Sequence, residues 1–460
     1  MNKNSLILVF ALLLLQILES NQVFGQTFPL KLSSTGRYFV DQDNKPFLIN
    51  GDTPWQLPVK LTIEEIEDYL DNRKVKKINT IQIMLTSFRE VNGANRDGVK
   101  PFVNANDFTV RNEAYFDFVA DVLKAAEARG IAVIIAPLWQ DSPNAAENVT
   151  WRPSLQANGV DKCRSFGNYL GTKFNLSQHP NLMAWLMGGD NIIDYTYPYY
   201  NAIAEGIKEK DAKVFQSYHI RGGQASTDAI HDNWLNLNST YTYAPDHIGT
   251  GKRHVYDLSY HAYNRIPVMP FYLSEALYEG PARNNKQDNA TPETIRRQAY
   301  WSMLGGSAGH IYGALLYNIP SNWKELMDLP GAFDLAHLYN FFTGFEWSKL
   351  VPDINHTFVT TGYGTYDGFT AAGDNYVTAA LSSDKRLGIA YLPSTGTDRR
   401  TLTVNMSTLK AKVICKWFNP NTGEYLTIGK YANKGSRNFI TPGNNGDNAN
   451  DWILFLESKY

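Results

Sequence analysis

Two carboxylates in this chain stand at the ends of apolar runs. Residues 182–187 are followed by Gly188-Gly189-Asp190-Asn191, and residues 268–274 by Glu275. Cleavage of a glycosidic bond needs such a pair. One carboxyl group must be protonated, to donate to the leaving oxygen; the other must be ionised, to attack the anomeric carbon or to activate water. For Asp190 the plainer alternative is a loop or helix-cap residue, and for Glu279 a solvated or arginine-paired carboxylate. Glu279 is a rival carboxylate on the same loop as Glu275. Other polar residues at comparable strand ends are Asp52, Ser87, Gln140, His219 and Tyr312. Among these, Asp52 and His219 are candidate substrate ligands, together with Asn191 and Glu279. Flat apolar faces near an acid raise its pKa by desolvation and stack on sugar rings. Trp55, Trp139, Trp185, Tyr272 and Tyr278 are available for this, with Trp55, Trp139 and Tyr278 the candidates for substrate contact. For Trp55 and Trp139, core packing is the competing role.

Other motifs carry less. Gly305-Gly306-Ser307-Ala308-Gly309 matches the pattern of a serine-hydrolase elbow. That elbow needs a strand before the serine and a helix after it, and here the order is reversed. No H-E-x-x-H or paired Cys/His spacing points to a metal, so neither a metal nor a cofactor is expected. Gly362, Gly364 and Gly368 read as turn glycines in a β-rich region.

The elements that would position the carboxylates alternate. Short apolar runs at 47–50, 80–87, 131–139, 182–187, 214–219, 234–243, 268–274 and 310–316 read as strands. Helical segments separate many of them. Thr62-Ile63-Glu64-Glu65 is a capping-box start, Gly130 stops the helix at 113–129, a helix is expected near 162–173, and Pro292 opens the helix at 292–304. Strands alternating with helices imply parallel β/α units, and continuous apolar strands fit a sheet covered on both faces. The expected fold is α/β, a (β/α)8 TIM barrel, followed by a small all-β sandwich. In a barrel, function collects at the C-terminal ends of the strands. Asp190 and Glu275 then belong to about the fourth and seventh strands, facing each other across the mouth. After Trp347 the texture turns to Thr, Gly, Asn and Tyr with short alternating runs, which reads as a sandwich of roughly 110 residues. It is expected to cap the barrel rather than to bind sugar. The long loops after the second and third strands favour a pocket and hence exo action.

The 460 residues, 43% hydrophobic and 19% charged, suit a large globular core. A formal net charge of −2 offers no basic excess for nucleic acid. The 27 Tyr and 10 Trp fit either a large aromatic core or sugar binding. Residues 1–25 carry Lys3, an apolar stretch at 6–18 and small residues before Gln26, which reads as a cleaved signal peptide and places the protein outside the cell or in the periplasm. No later segment is apolar enough for a membrane span. The expected limits are 26–350 for the barrel and 351–460 for the β-domain. Cys163 and Cys415 are expected as two separate thiols rather than a disulfide framework.

Four segments together resemble the apiosidase-like glycoside hydrolases of family 140 type. They are Leu48-Ile49-Asn50-Gly51-Asp52-Thr53-Pro54-Trp55 with Tyr69-Leu70-Asp71-Asn72-Arg73; Trp185 to Asn191; Ser274-Glu275-Ala276-Leu277-Tyr278-Glu279-Gly280; and Trp417-Phe418-Asn419-Pro420-Asn421-Thr422-Gly423 with Asp451-Trp452. The last is similar to a β-domain named for collagen binding. Two departures stand out: Ala276 where the family often has Pro, and Asn191-Ile192-Ile193 in place of an Asn-Pro. The resemblance implies Asp190 as general acid/base, Glu275 as nucleophile and a carbohydrate substrate, with a pectic side-chain sugar such as apiose in view. The expectation is therefore a retaining glycosidase. The alternatives are a non-catalytic glycan- or matrix-binding protein on a barrel scaffold, and a barrel hydrolase or lyase with another acid–base set.

Overall fold

The computed structural model describes residues 26–141, 144–244, 253–280 and 290–458; the expected signal peptide lies outside them. Its first unit is a curled nine-stranded sheet with helices outside. In chain order the principal elements are β1 (Ile49–Asp52), α1 (Ile63–Val75), β2 (Thr80–Met84), α2 (Glu113–Glu127), β3 (Ala132–Ala136), α3 (Arg152–Lys173), β4 (Leu182–Gly188), α4 (Tyr197–Lys210), β5 (Phe215–His219), β6 (Asn238–Tyr241), α5 (Val255–Tyr263), β7 (Phe271–Glu275), α6 (Pro292–Leu304), β8 (Gly309–Tyr312) and α7 (Pro330–Thr343). Neighbouring strands run parallel in the order β5-β4-β3-β2-β1-β8-β7-β6, with the short strand Gln224–Ala225 antiparallel to β6. The two ends of the sheet meet through side chains and loops. Ser226 Oγ donates to Tyr218 O at 2.7 Å and accepts from Ser239 N at 2.9 Å, and Leu237 N donates to Gln216 O at 3.2 Å.

Strand alternation sorts the residues. Ile81, Ile83, Val133, Ile135, Trp185 and Met187 pack outward with the helices. Met84, Ile134, Ala136, Leu186 and Tyr272 pack on the inner side. A ribbon of short strands at Lys31–Leu32, Phe39–Val40 and Pro46–Phe47 closes the base, with Phe39 edge-on to Phe215 at 4.8 Å. The Thr62–Glu65 capping box forms as the spacing dictates. The helix expected near 162–173 is the second half of α3, which starts at Arg152 and breaks at Gly159, where φ is +64°. The strand expected over 234–243 is shorter, because Trp234 turns to donate to Asn201 Oδ1 at 2.7 Å.

The second unit comprises β9 (Leu350–Pro352), β10 (Val359–Thr361), β11 (Thr378–Ser382), β12 (Leu387–Leu392), β13 (Thr401–Asn405), β14 (Val413–Phe418), β15 (Tyr425–Tyr431), β16 (Ser436–Ile440) and β17 (Trp452–Ser458). They form a six-stranded antiparallel sheet, β9-β11-β12-β17-β14-β15, and a three-stranded one, β10-β13-β16. Leu402, Val404, Cys415, Trp417, Phe439 and Leu454 fill the space between the two. The other face of the large sheet rests on α6 and α7. Tyr300 stacks on Tyr391 at 4.9 Å, and Phe341 meets Phe418 at 4.6 Å and Phe455 at 5.6 Å. Cys163 and Cys415 are both buried free thiols.

A buried ionic knot joins the two units. Arg296 of α6 makes a bidentate pair with Asp451 at 2.8 and 3.0 Å, and its Nη1 reaches Asp334 of α7 at 2.7 Å and Asp447 at 3.0 Å. Arg296 and Asp451 are fully buried. Removing one partner of such a group leaves uncompensated charge in a low-dielectric interior. Arg296→Met should therefore destabilise the protein by about 3–5 kcal/mol in urea unfolding. A change no larger than that of an exposed arginine would show that the knot is dispensable.

Candidate active site

The C-terminal ends of the parallel strands surround a cavity of about 160 Å³, lined by Trp55, Met84, Phe88, Arg89, Trp139, Asp141, Asp190, Tyr243, Glu275, Tyr278 and Tyr317. Glu275 is the last residue of β7. Asp190 follows β4 after the two glycines, and both glycines have a reason. Gly188 has φ +78°, and a Cβ there would fall 2.4 Å from the Tyr218 ring; at Gly189 it would fall 2.7 Å from Gln140 N. Only residues without side chains can make this turn, which sets Asp190 at the cavity.

Asp190, His219 and Glu275 each offer an atom within 4.8 Å of the others. The fully buried His219 lies between the two carboxylates, with Nε2 2.9 Å from Glu275 Oε2 and Nδ1 3.6 Å from Asp190 Oδ1, and neither contact has aligned hydrogen-bond geometry. Its ring is packed by Trp139 at 5.0 Å and Tyr241 at 4.6 Å. Glu275 Oε1 accepts from the hydroxyl of Tyr243 and, at 2.7 Å, from that of Tyr278. Trp55 Nε1 in turn donates to Tyr278 Oη at 3.0 Å. Burial, and next the charge of Glu275, push both phenols well above their usual range, so they stay donors. Two donors on one oxygen is the acceptor pattern of a carboxylate.

Asp190 is different. Burial first, and the negative Glu275 second, push it up to about 7, against the opposing pull of His219 and a hydrogen bond from Tyr241. Its side chain is still 45% exposed. The exposed part faces the cavity that Asp190 lines with Trp55, Trp139 and Tyr243, and that apolar wall is what disfavours its charged form. The same three side chains are the described residues closest to a metal-ligand set. A wider recess of about 460 Å³ lined by Asp228, Arg253, Asp257, His261 and Tyr366 holds ionic groups that already pair with one another.

The remaining candidates divide. Trp55, Trp139 and Tyr278 line the cavity, and His219 lies beneath it. Asn191 ties the loop, donating to Asp141 O at 3.0 Å. Asp52 is a correction: it is fully buried, 2.6 Å from Arg73 Nε and hydrogen-bonded to Tyr69, because its side chain faces α1 rather than the mouth. Glu279 is another. It accepts from Tyr312 at 2.5 Å and from Gly331 N at 2.8 Å, so it sits at the start of α7, where a carboxylate complements the helix dipole. Trp185 points outward to Phe174 at 6.0 Å, and Tyr272 donates inside the sheet to Gln82 Oε1 at 3.1 Å. Ser307 is buried against Ser302 Oγ at 2.8 Å and is no nucleophile. Sequence reasoning missed Tyr243 and Tyr241, which read as ordinary strand aromatics, and the lining residues Met84, Phe88, Arg89, Asp141 and Tyr317.

A curled parallel sheet carrying a carboxylate pair at its mouth defines a class, the barrel-like glycoside hydrolases. The family follows: the chain matches "Apiosidase-like, catalytic domain" over residues 33–349, and it belongs to that family. It is an enzyme, a glycosidase, which removes the non-catalytic alternative. Residues 368–457 match the model described as "Putative collagen-binding domain of a collagenase". Among solved structures, one titled a glycoside hydrolase has 22% identity and a TM-score of 0.78, covering 95% of this chain and 97% of the other. A glycoside hydrolase family 5 structure from Bacteroides vulgatus has 22% identity and a TM-score of 0.79, covering 93% of each chain. At that identity the likeness is one of fold. Comparison with curated proteins finds no match.

Two substitutions separate catalytic from structural roles. Tyr243→Phe deletes one donor to Glu275 and should lower kcat/KM about tenfold to a hundredfold, with the folding transition unchanged. Asp52→Asn strands the buried Arg73 and should cost about 3–5 kcal/mol of stability while the folded fraction keeps its kcat. A kcat loss in Asp52→Asn without a stability loss would return that residue to the site.

Proposed function

We propose that the protein is a secreted or periplasmic, exo-acting retaining glycosidase that removes a terminal sugar from a plant or microbial polysaccharide. The observation that carries the retaining mechanism is the separation of the carboxylates. Oxygens within 4.8 Å of each other leave little room for the intervening water of an inverting enzyme, whose carboxyl groups stand about 6.5–9.5 Å apart. On this reading the curled sheet is a (β/α)8 barrel with a seam at Ser226, divided from the β-domain near residue 350. Glu275 Oε2 attacks the anomeric carbon while Asp190 passes its proton to the leaving oxygen, giving a glycosyl ester and a free alcohol. Asp190, now a carboxylate, takes a proton from water as that water attacks the anomeric carbon. The sugar leaves and both groups return to their starting states. Trp55, Trp139 and Phe88 exclude water around the acid. A cavity of about 160 Å³ is smaller than most ligand clefts, which run to roughly 300–1,000 Å³, and suits one sugar ring rather than a bound chain. The family name supports apiose on a pectic side chain as the first substrate to test.

The test is hydrolysis of aryl glycosides and pectic oligosaccharides by the wild type, Asp190→Asn and Glu275→Gln. Each substitution should lower kcat by about a thousandfold or more with folding intact, and NMR should show the product first in the anomeric form of the substrate. Inverted product would replace the ester mechanism with direct attack by water. A variant that keeps its rate would remove its residue from the mechanism.

The pH profile adds a second check. Asp190 must hold its proton to act as the acid, and it is pushed up to about 7. Thus kcat/KM should be high below that value and fall as pH rises through it. An alkaline limb that persists unchanged in Asp190→Asn would assign it to another group.

A further inference from the structure

One end of the C-terminal domain gathers cations. The β11–β12 turn carries Lys385, whose carbonyl accepts from Lys410 N at 2.8 Å. Lys412 leads into β14, whose first residue pairs with Tyr431, next to Lys430. Asn433 Nδ2 donates to Leu409 O at 3.0 Å and Gly435 N to Ser407 Oγ at 2.9 Å. These bonds fasten the turn bearing Lys434, and Arg437 follows in β16. All six side chains are exposed, and none forms an ion pair with a described carboxylate. The acids nearby are engaged: Asp384 accepts from Ser382 Oγ at 2.7 Å and Lys349 Nζ at 3.2 Å, and Glu457 has its own partner. Like charges crowded without counter-charge repel one another, and an anionic polymer relieves that repulsion.

We propose that this cationic end binds a polyanionic polysaccharide, carboxylate- or sulfate-bearing, and tethers the enzyme to it. The relief of the surface favours a saccharide. Tyr431, Ala432, Lys434, Ser436, Arg437 and Asn438 line a recess of about 510 Å³. The Arg437 guanidinium lies 3.4 Å from the Tyr431 ring centroid, which orients its donors, and Ser436 and Asn438 offer partners for sugar hydroxyls. A flat bilayer fills no recess, and the exposed apolar Leu426 and Ile440 sit toward the opposite ends of β15 and β16. The surface is remote from the catalytic mouth. Ser383 N donates to Lys349 O at 2.8 Å, just beyond the C-terminus of α7 at the base of the sheet. The other end of β12 leads to Ser394, which meets Glu293 at the start of α6, on the mouth side. The choice of a carbohydrate as occupant rests on the glycosidase reading, but binding is measured without turnover, so the two can fail separately.

The experiment is affinity electrophoresis of the full-length protein in gels containing sodium polygalacturonate, dextran sulfate or neutral dextran. Glu275→Gln protein is used so that the polymer stays intact. Phosphatidylglycerol vesicles and duplex DNA are tested as competitors. Retardation by at least one polyanion and not by dextran is expected, weakening with added salt. Its preference between the first two gels identifies the anionic group. Combining Lys430→Glu, Lys434→Glu and Arg437→Glu should weaken binding about tenfold or more. The same changes in the active enzyme should leave hydrolysis of a small aryl glycoside unchanged. If that variant fails to fold, Lys385→Gln with Lys412→Gln takes its place, with a smaller loss in the same direction. No retardation by either polyanion, equal binding by the folded variants, or tighter binding of DNA or vesicles would overturn the proposal.

Discussion

Two carboxyl groups that each place an oxygen within 4.8 Å of the other, in a cavity walled by aromatic rings, cannot both carry charge cheaply. The surroundings of the mouth resolve this conflict unequally. Glu275 receives two phenol hydroxyls on one oxygen and has His219 beside the other. Asp190 receives burial and the field of its neighbour, which together push its pKa up to about 7. One site thus holds two carboxyl groups with opposite environments, one ringed by hydroxyl donors and the other pushed toward its protonated form. The aromatic walls serve both ends of the arrangement. They line the pocket beside Asp190, and the Trp55–Tyr278 hydrogen bond holds one of the donors to Glu275.

Such asymmetry needs positions held to fractions of an ångström, and the support extends well behind the pocket. The loop after β7 is gripped by α6, where Gln298 donates to Leu277 O at 2.9 Å and accepts from Leu277 N at 3.2 Å. Two residues away on the same helix, Arg296 is locked by Asp451 of the β-domain and Asp334 of α7. The helix α6 therefore carries polar contacts both to the second unit and to the segment that follows Glu275. Glu279, at the end of that segment, is fixed to Gly331 at the start of α7. The Asp52–Arg73 pair does the same on the opposite side, tying the end of β1, three residues before Trp55, to α1. The β-domain in this arrangement is more than an appendage, since its sheet is the surface against which α6 and α7 are set.

This explains what the sequence could and could not convey. Period-two apolar runs, the Thr62 cap and the Gly188-Gly189 turn are local, and each forms where its residues stand. Which way a strand-end polar side chain points is not local. Asp52 and Glu275 both close a strand, yet one turns to α1 and the other to the mouth. Asp190 and Glu279 both follow a strand in motifs of similar polarity, and only the partners Tyr312 and Gly331, distant in the chain, bind Glu279 behind the pocket. Tyr243 was hidden for a related reason, because an aromatic residue at the end of an expected apolar strand has the signature of core. The strands β15 and β16 lacked an alternating apolar signal because most of their residues are exposed at sheet edges. α5 follows the segment 245–252 and carries Tyr, His and Ser rather than a clear apolar stripe, so its pattern did not stand out.

Charge is divided along the molecule in a way that bears on its substrate. The cavity brings together Asp141, Asp190 and Glu275, with Arg89 the one cation among the described lining residues. A polymer with an anionic backbone is repelled from such a mouth, whereas an uncharged terminal sugar on a side branch can enter it. The opposite end of the β-domain carries lysines that form no ion pair with a described carboxylate, and an arginine on a tyrosine ring. An enzyme that trims neutral branches from a charged main chain has to hold the chain and the branch at different places, because the field that favours one disfavours the other. The separation of a carboxylate mouth from a cationic end is the division that the proposed trimming of neutral branches would require, and the two units that carry these ends are joined through Arg296.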